Sequence, residues 1–373
     1  MKLAILKETE TGERRVAATP DTVKKLIDLS HQIVIETDAG AAAGYLDGAY
    51  EEVGASIAKT AAAAAKSADV TLKVRAPSNA EIKLLQEGSV LIGLLEPFGL
   101  DAAPLNARKI TALAMEFTPR ITRAQSMDAL SSQSNLAGYR TIIEGAQIYG
   151  RAMPMMMTAA GTVAPAKVFV MGAGVAGLQA IATARRLGAI VSATDVRPAA
   201  KEQVASLGAK FIAVEDDEFK AAETAGGYAK QMSDEYQAKQ AALTAEHIAK
   251  QDIVVTTALI PGRPAPVLVT EEMVASMRPG SVIIDMAVAQ GGNCPLSKPD
   301  EIVEAGGVKI AGFTNLPGQV PADASALYAK NLLNFLPLIT GEDGALNLDT
   351  DDEIVTAMVL TRDGETVNER LKG

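Results

Sequence analysis

The chain has 373 residues, 48% of them hydrophobic and 21% charged, which is the balance of a globular protein and not of a disordered one. It is longer than the usual domain of about 100 to 200 residues, so we expect two domains. The net charge of −10 argues against a nucleic-acid or anionic-membrane surface, and one cysteine with two histidines leaves no internal disulfide and no metal site of the zinc type.

The amino-terminal residues, 1–8, form a short strand pattern and lack the apolar core of a secretory signal. Further apolar runs alternate with helix-like segments through the first third of the chain, as they do in a parallel α/β sheet. These runs predict strands at 2–6, 33–36, 70–74, 90–95 and 110–115.

Polar side chains are concentrated in the segment 119–135, where this first series of strands ends. Arg120 has the chemistry to bind a phosphate or to pair with Asp128, Gln125 to bond a ribose, and Ser131 to bond a carboxamide. The same residue types also form a helix N-cap and a solvated first helical turn. Both interpretations stay open at the level of the residues.

Four methionines, Met153 and Met155 to Met157, precede a segment with hairpin-like breakers at 158–165. Methionine adapts to irregular apolar contacts, so these residues predict either ordinary core or a subunit interface. The uncharged stretch around them, 152–166, is shorter than the about 18 to 20 apolar residues that span a bilayer. The sequence therefore predicts no direct membrane insertion.

Gly172, Gly174 and Gly177 form a G-x-G-x-x-G pattern that follows an apolar run and opens an alanine-rich helical stretch. In that context the glycines predict a dinucleotide site, with the pyrophosphate at the amino terminus of the helix. Asp195 ends the next predicted strand, at the spacing of an acid that binds ribose hydroxyls and repels a 2′-phosphate. NAD is favoured over NADP, although Arg197 lies close enough to accommodate a phosphate.

The segment 222–233 holds Gly226, Gly227 and Tyr228 between charged flanks. It predicts either a mobile loop near the nucleotide or a plain solvated connector. No nucleophile elbow, Walker lysine motif or H-E-x-x-H occurs in the chain. The sequence therefore predicts that a cofactor carries the chemistry and that no metal takes part.

The second series of apolar runs completes the predicted fold, with strands at 168–171, 190–194, 211–214, 253–257, 282–285 and 308–310. We expect an α/β protein with two Rossmann-like domains, each with a parallel sheet. Two connecting helices, at 123–150 and 322–336, join these domains. The acidic run 349–353 predicts a solvated hairpin. The predicted domain limits are 1–137 plus 325–373 for the first domain and 138–324 for the second.

Several long runs resemble one known family, the alpha-1 type subunits of proton-translocating NAD(P) transhydrogenase, which are its soluble NAD(H)-binding component. The runs cover both predicted domains and are 123–128, 131–140, 172–183, 193–197, 222–230 and 256–262. The resemblance implies an oxidoreductase and translocase function. Hydride passes directly between NADH bound on this chain and NADP⁺ bound on a partner subunit, and membrane subunits couple the transfer to proton translocation.

The same resemblance implies roles for individual residues. Arg120, Gln125, Asp128 and Ser131 would form the catalytic loop that holds the nicotinamide end of NADH, and the dinucleotide contacts would be Gly172, Gly174, Val175, Gly177, Asp195, Val196, Arg197, Gly227, Tyr228 and Leu259. In that family an arginine at the position of Arg197 follows the ribose-binding acid of NAD-specific members. The resemblance therefore implies NAD(H) on this chain and NADP(H) on a partner.

The partners implied are a second copy of the chain, in a homodimer, and membrane-spanning transhydrogenase subunits with their NADP(H)-binding domain. Nucleic acid is not among them. The implied location is cytoplasmic, peripheral on the inner face of the cytoplasmic membrane through those partner subunits.

Alanine dehydrogenase is a looser resemblance, carried by the runs 5–8, 15–17, 259–262 and 290–292. That enzyme uses a histidine and an aspartate as acid and base, and local matching implies Glu96 and Ala289 at those positions here. An amino-acid oxidoreductase is therefore an alternative without its acid/base pair, while Lys73 and Arg75 leave residual small-acid binding open. A non-catalytic NAD-sensing module is a third alternative.

Overall fold

The computed structural model describes residues 1–220, 232–348 and 351–371. Its strands, in chain order, are β1 (Lys2–Ile5), β2 (Gln32–Glu36), β3 (Ser56–Ala58), β4 (Val70–Leu72), β5 (Val90–Gly93), β6 (Thr111–Ala114), β7 (Met156–Thr158), β8 (Gly161–Val163), β9 (Lys167–Met171), β10 (Ile190–Thr194), β11 (Lys210–Phe211), β12 (Ile253–Thr256), β13 (Val282–Asp285), β14 (Ile302–Ala305), β15 (Val308–Gly312), β16 (Val359–Arg362) and β17 (Glu365–Thr366).

The α-helices, also in chain order, are α1 (Pro20–Asp28), α2 (Asp47–Glu52), α3 (Ala61–Ala65), α4 (Asn79–Ile82), α5 (Ala103–Ala107), α6 (Ala129–Tyr149), α7 (Val175–Arg186), α8 (Ala200–Ser206), α9 (Asp217–Lys220), α10 (Asp234–Ile248), α11 (Glu271–Ser276), α12 (Pro321–Phe335) and α13 (Glu353–Met358). No helix within the described ranges combines the length and the apolar character needed to cross a membrane.

The chain forms two compact units, which we call the first unit (Met1–Gln133 with Pro317–Gly373) and the second unit (Ser134–Leu316). The chain passes from one to the other within α6 and returns just before α12, so both predicted connecting helices are present. The domain limits proposed from the sequence, at 137/138 and 324/325, stay a prediction.

The first unit is built on a sheet with the strand order β17-β16-β6-β5-β4-β1-β2-β3. The strands from β6 to β3 in that order are parallel, and β16 pairs antiparallel with β6 and with β17. The second unit has the order β11-β10-β9-β12-β13-β15-β14, parallel except for the edge strand β14. The predicted α/β fold with two parallel-rich sheets is confirmed.

Both faces of each sheet are buried, which explains why the strands read as continuous apolar runs. In β1, Leu3 belongs to one hydrophobic cluster and Ala4 to another, because successive side chains point to opposite faces. In β9, Val168 and Phe169 divide between two clusters in the same way. A sheet covered on both faces by helices follows.

Two local predictions are corrected by the structure. The helix expected to begin at residue 123 begins at Ala129, after a short 3₁₀ segment, Thr122–Met127. In the acidic tail, Asp352 is an N-cap whose carboxylate accepts hydrogen bonds from the backbone of Ile354 and Val355, so α13 starts where a hairpin was expected. The hairpin, β16 with β17, comes only after that helix.

Candidate functional site

The glycine-rich turn lies at the carboxyl end of β9, in the middle of the second sheet. From β9 the chain runs to β10 on one side, while β12 pairs on the other side, so the strand order reverses between β9 and β12. In open parallel sheets the crevice at such a reversal is where ligands bind. The turn at Gly172 and the residues after Thr256 are therefore the two edges of a candidate nucleotide crevice.

Each glycine of the turn has a different steric reason to be glycine. Gly172 has φ +106°, and a Cβ there would lie 2.3 Å from Thr257 Oγ1. A Cβ on Gly177 would lie 1.8 Å from the carbonyl oxygen of Gly172, so the strand and α7 pack too closely for any side chain. A Cβ on Gly174 would meet nothing within 4 Å. Of the three positions, only the one that faces the start of α7 is therefore left with open space.

The amino terminus of α7 is suited to an anion. The N-cap residue, Gly174, provides no side-chain hydrogen bond to the first turn of this 12-residue helix. The first N–H groups of a helix have no partner within it, and together with the helix dipole they favour a negative group. The open space at Gly174 and the unpaired donors behind it fit a pyrophosphate.

Asp195 lies directly after β10 and is tied to the glycine turn. Its Oδ2 accepts a hydrogen bond from the Ala173 backbone at 2.7 Å. The Arg197 guanidinium pairs with both carboxylate oxygens, Nε to Oδ1 at 2.9 Å and Nη2 to Oδ2 at 3.0 Å. Hydrogen bonds to that carboxylate outweigh partial burial and raise the pKa of Arg197. The acid and the arginine that the sequence placed near the ribose are in direct contact.

Three apolar side chains around this crevice are exposed to solvent: Val175, Val196 and Leu259. They follow β9, β10 and β12, the neighbouring strands at the centre of the sheet. Exposed apolar groups beside a concave polar site are typical of a ligand-binding surface.

The loop that carries Leu259 is held by residues that the sequence did not single out. Asn293 Oδ1 accepts from the Ala258 backbone N at 3.1 Å, and its Nδ2 donates to the carbonyls of Ala258 at 2.9 Å and Pro266 at 2.8 Å. Asp285, fully buried, accepts from the Asn293 backbone at 2.8 Å. The only available signal was an acid at the end of a predicted strand.

In the first unit, a pocket of about 390 Å³ collects the polar residues predicted for the 119–135 segment. Its lining residues are Pro119, Arg120, Ile121, Gln125, Asp128 and Ser131. Arg120 and Gln125 are exposed, and within the described ranges their side chains hydrogen-bond no other residue. Their donors and acceptors are therefore available to a ligand.

Asp128 and Ser131 bond to each other at the start of α6. Asp128 Oδ1 accepts from the Ser131 backbone N at 2.8 Å, and Oδ2 accepts from the Ser131 hydroxyl. This is the geometry of an N-cap, so the alternative interpretation of Asp128 as a helix cap matches its contacts. A cap is compatible with a ligand contact, because the Ser131 hydroxyl oxygen keeps acceptor capacity.

The segment that lines this pocket is anchored to two helices. The carbonyl of Ser126 accepts from the side-chain amides of Asn331 and Asn334 on α12, at 2.9 and 3.1 Å. Arg123 donates to Asp352, the N-cap of α13, at 2.7 and 3.1 Å. The exposed side chains therefore project from a fixed backbone.

Lys73 and Arg75, which left small-acid binding open, are both paired with carboxylates. Lys73 Nζ lies 2.6 Å from Glu81 Oε1 and 3.3 Å from Glu8 Oε2. Arg75 Nε lies 3.0 Å from Glu13 Oε2. A small acid would have to compete with these carboxylates, so the arrangement disfavours residual small-acid binding.

Two predicted contacts, Gly227 and Tyr228, and most of the predicted loop 222–233 lie outside the described residues. Of the methionines, Met153 is buried in the core of the second unit, whereas Met155, Met156 and Met157 are exposed. The core interpretation is therefore wrong for those three.

Comparison with known proteins agrees with the geometry. A model of the N-terminal domain of the alanine dehydrogenase/PNT family matches residues 4–137, and a model of its C-terminal domain matches residues 141–369. The chain belongs to the alanine dehydrogenase/PNT family. This alanine dehydrogenase/PNT chain is 57% identical to the first of the chains that make up the NAD(P) transhydrogenase alpha subunit of Rhodospirillum rubrum, over 100% of this chain and 99% of that relative.

A solved structure described as transhydrogenase from Sinorhizobium meliloti superposes with a TM-score of 0.90 at 56% identity, covering 98% of this chain and 100% of that one. "Alanine dehydrogenase 1" of Staphylococcus aureus is 30% identical over 100% of this chain and 96% of the relative. Within the family the chain therefore lies with the transhydrogenase alpha subunits, as a subunit of an oxidoreductase with a nucleotide-binding, Rossmann-like fold, and alanine dehydrogenase is the distant relative.

Proposed function

We propose that this chain is the NAD(H)-binding subunit of a proton-translocating NAD(P) transhydrogenase. NADH bound here gives its hydride to NADP⁺ bound on a partner subunit, and membrane subunits couple that transfer to proton translocation. The observation that carries the proposal is the open glycine turn tied to Asp195, in a chain with transhydrogenase subunits as close relatives.

The second unit holds the pyrophosphate and adenosine in this proposal. Gly172, Gly174 and Gly177 shape the turn, and the first N–H groups of α7, beginning at Val175, face the pyrophosphate. Asp195 binds the ribose hydroxyls and repels a 2′-phosphate, which favours NAD(H) over NADP(H). Further contacts are assigned to Val196, Arg197, Gly227, Tyr228 and Leu259.

The first unit holds the nicotinamide end through Arg120, Gln125, Asp128 and Ser131. When bound, NADH supplies the hydride, and the protein's task is to hold the ring at the right distance and orientation. Exposed donors on an anchored backbone suit that task. These residues transfer no proton in this proposal.

Replacing Gln125 with asparagine, or Asp128 with asparagine, is expected to slow hydride transfer by at least about tenfold while NADH affinity falls less than about threefold. The reason is that most binding contacts lie at the pyrophosphate and adenosine, whereas the ring needs accurate placement. Stopped-flow transfer from NADH to an NADP analogue, with the NADP-binding partner present, measures the rate.

Two further variants make that experiment decisive. Gln32→Asn shortens an exposed glutamine on β2 and should leave the rate unchanged. Asp128→Asn keeps an N-cap residue, whereas Asp128→Ala removes the cap and should also lower the melting temperature. Wild-type transfer rates in folded Gln125→Asn and Asp128→Asn would refute the positioning role. A wild-type mixture that transfers no hydride would refute the transhydrogenase function itself.

An amino-acid oxidoreductase is disfavoured because the cations that could bind a carboxylate are already paired. Arg75 Nη1 lies 2.9 Å from Glu96, the residue at the position of the alanine dehydrogenase histidine. Turnover of alanine with NAD by the isolated chain, at about 1 per second or faster, would restore this alternative. A non-catalytic NAD sensor would bind NADH and show no transfer with any partner.

The exposed hairpin β7–β8 supports a homodimer. Met155, Met156 and Met157 are 60%, 43% and 77% exposed, and flexible apolar side chains of this kind are typical of subunit contacts. The double variant Met155→Asp with Met157→Asp is expected to sediment as a monomer at concentrations where the wild type is a dimer. Val267→Asp, at another exposed apolar residue of the same unit, should leave the dimer intact. A wild-type monomer would contradict the proposal.

The remaining partners are the membrane-spanning subunits and their NADP(H)-binding domain. They would hold this chain at the inner face of the cytoplasmic membrane as a peripheral subunit. The transhydrogenase alpha subunits among its relatives support this assignment.

A further inference from the structure

The carboxylate of Asp195 accepts four hydrogen bonds. Oδ1 accepts from the Arg197 backbone N at 2.8 Å and from Arg197 Nε at 2.9 Å. Oδ2 accepts from the Ala173 backbone N at 2.7 Å and from Arg197 Nη2 at 3.0 Å. A carboxylate offers about four lone-pair positions, so its capacity is used in full.

Two of these four donors are fixed by the fold. The N–H of Ala173 belongs to the glycine turn, and the N–H of Arg197 belongs to the bend after β10. The other two donors lie on one flexible guanidinium. Any hydroxyl that comes to bond Asp195 therefore has to take the place of Arg197 Nε or Nη2, because the backbone donors cannot leave.

The guanidinium can leave at low cost. The Arg197 side chain is 37% exposed, while that of Asp195 is 7% exposed. Its remaining contact is a hydrogen bond from Nη2 to the carbonyl of Ala173 at 3.2 Å. An ion pair with one exposed partner is weak, and water can solvate the released arginine.

We propose that Arg197 is a specificity-determining residue that competes with the ribose of NAD(H) for the Asp195 carboxylate. This inference rests on the proposed function of the site. The arginine weakens NADH binding, because its guanidinium has to be displaced. It also offsets the negative charge of Asp195, so the charge that excludes a 2′-phosphate is reduced while Arg197 is present. Its removal therefore has opposite effects on the two cofactors.

The test is calorimetric titration of the full-length chain with NADH and with NADPH. Arg197→Ala is expected to bind NADH about fivefold more tightly than the wild type, a change of about 1 kcal/mol. The same variant is expected to bind NADPH more weakly, because the carboxylate then acts on the phosphate without compensation. A direct contact between Arg197 and NADH would give the opposite sign for NADH.

Two variants separate competition from other causes. Arg197→Gln keeps polar donors without the charge and should give NADH affinity between those of wild type and Arg197→Ala. Lys201→Ala removes one positive charge from nearby α8, at a residue paired with Glu215 and not with Asp195, and should leave NADH affinity unchanged. Equal tightening by Lys201→Ala would overturn the proposal, because the effect would then be general electrostatics.

The outcomes keep this proposal distinct from the proposed function. A wild-type chain that binds no NADH refutes the proposed cofactor. A wild-type chain that binds NADH, with Arg197→Ala binding equally or more weakly at an unchanged melting temperature, refutes the competition and leaves the cofactor assignment standing.

Discussion

Replacing Gly174 with alanine is expected to lower NADH affinity about 100-fold while the melting temperature stays close to that of the wild type. The expected loss corresponds to about 2.7 kcal/mol, the size of one or two charge-assisted hydrogen bonds between pyrophosphate and backbone N–H groups. A methyl group on Gly174 meets no protein atom within 4 Å, so folding does not oppose it. The same methyl group occupies the space where we place the pyrophosphate.

The backbone at Gly174 is open to alanine, with φ −75° and ψ −167°, in the extended region. Gly177→Ala is the contrasting variant, because its Cβ would lie 1.8 Å from the carbonyl oxygen of Gly172. It should lower the melting temperature as well as the NADH affinity, since the turn has to shift. Gly48→Ala, at an open glycine in α2, is the control and should affect neither binding nor folding adversely.

Calorimetric titration with NADH and differential scanning calorimetry on these three variants give both quantities. Wild-type NADH affinity in Gly174→Ala would mean that no pyrophosphate approaches this turn. A large fall in its melting temperature would instead mean that the open space is needed for folding.

The glycine turn was predictable because its parts are local in sequence. A buried strand, three glycines, a helix and an acid at the end of the next strand occupy one short stretch, and each part has a distinct steric or electrostatic reason. The central parallel strands were predictable for a related reason. Both of their faces are buried, so they read as continuous apolar runs.

The edges of both sheets were not predictable in this way. Strands β14 and β16 pair antiparallel at or near the sheet edges, and β14 alternates between exposed and half-buried residues. Short, half-exposed strands carry little apolar signal. The start of α6 was predicted six positions too early, because the cap formed by Asp128 and Ser131 depends on a choice between a 3₁₀ and an α-helical turn.

Contacts between residues far apart in sequence were also beyond prediction. Asn293 holds the loop at Ala258 across 35 positions, and nothing in either segment alone indicates the pair. The contacts of Arg197 with Asp195 span only two residues, yet the residue types alone allowed two opposite interpretations of that arginine. Geometry was needed to see that it occupies the carboxylate.

Replacing Glu13 with glutamine is expected to lower the free energy of unfolding by about 3 to 5 kcal/mol at pH 7, as the loss of one partner of a buried ion pair does. The Glu13 side chain is fully buried and accepts from Arg15 Nε at 2.8 Å and Nη2 at 2.6 Å. It also lies 3.0 Å from Arg75. The glutamine has the same shape but leaves the buried Arg15 charge without compensation.

The matched control is Glu10→Gln. Glu10 is a neighbouring glutamate whose side chain is 55% exposed and lies 3.8 Å from Arg75. An exposed pair of this kind contributes about 0 to 1 kcal/mol, so the variant should unfold close to the wild type. Equal loss of stability in Glu10→Gln and Glu13→Gln would contradict the assignment of the effect to burial.

The dependence on pH identifies the charge as the cause. Burial by itself raises the pKa of Glu13, but the hydrogen bonds and charge of Arg15 outweigh it and lower the pKa from 4.5 to about 2. A carboxyl whose pKa is lower in the folded state contributes its full stability above the unfolded value of 4.5 and loses it as the pH falls towards 2. The stability difference between wild type and Glu13→Gln should therefore be constant near neutral pH and shrink between pH 4.5 and 2. Urea unfolding across that range measures it, and a difference that stays constant down to the lower end would mean that shape, and not the ionised carboxylate, stabilises this region of the fold.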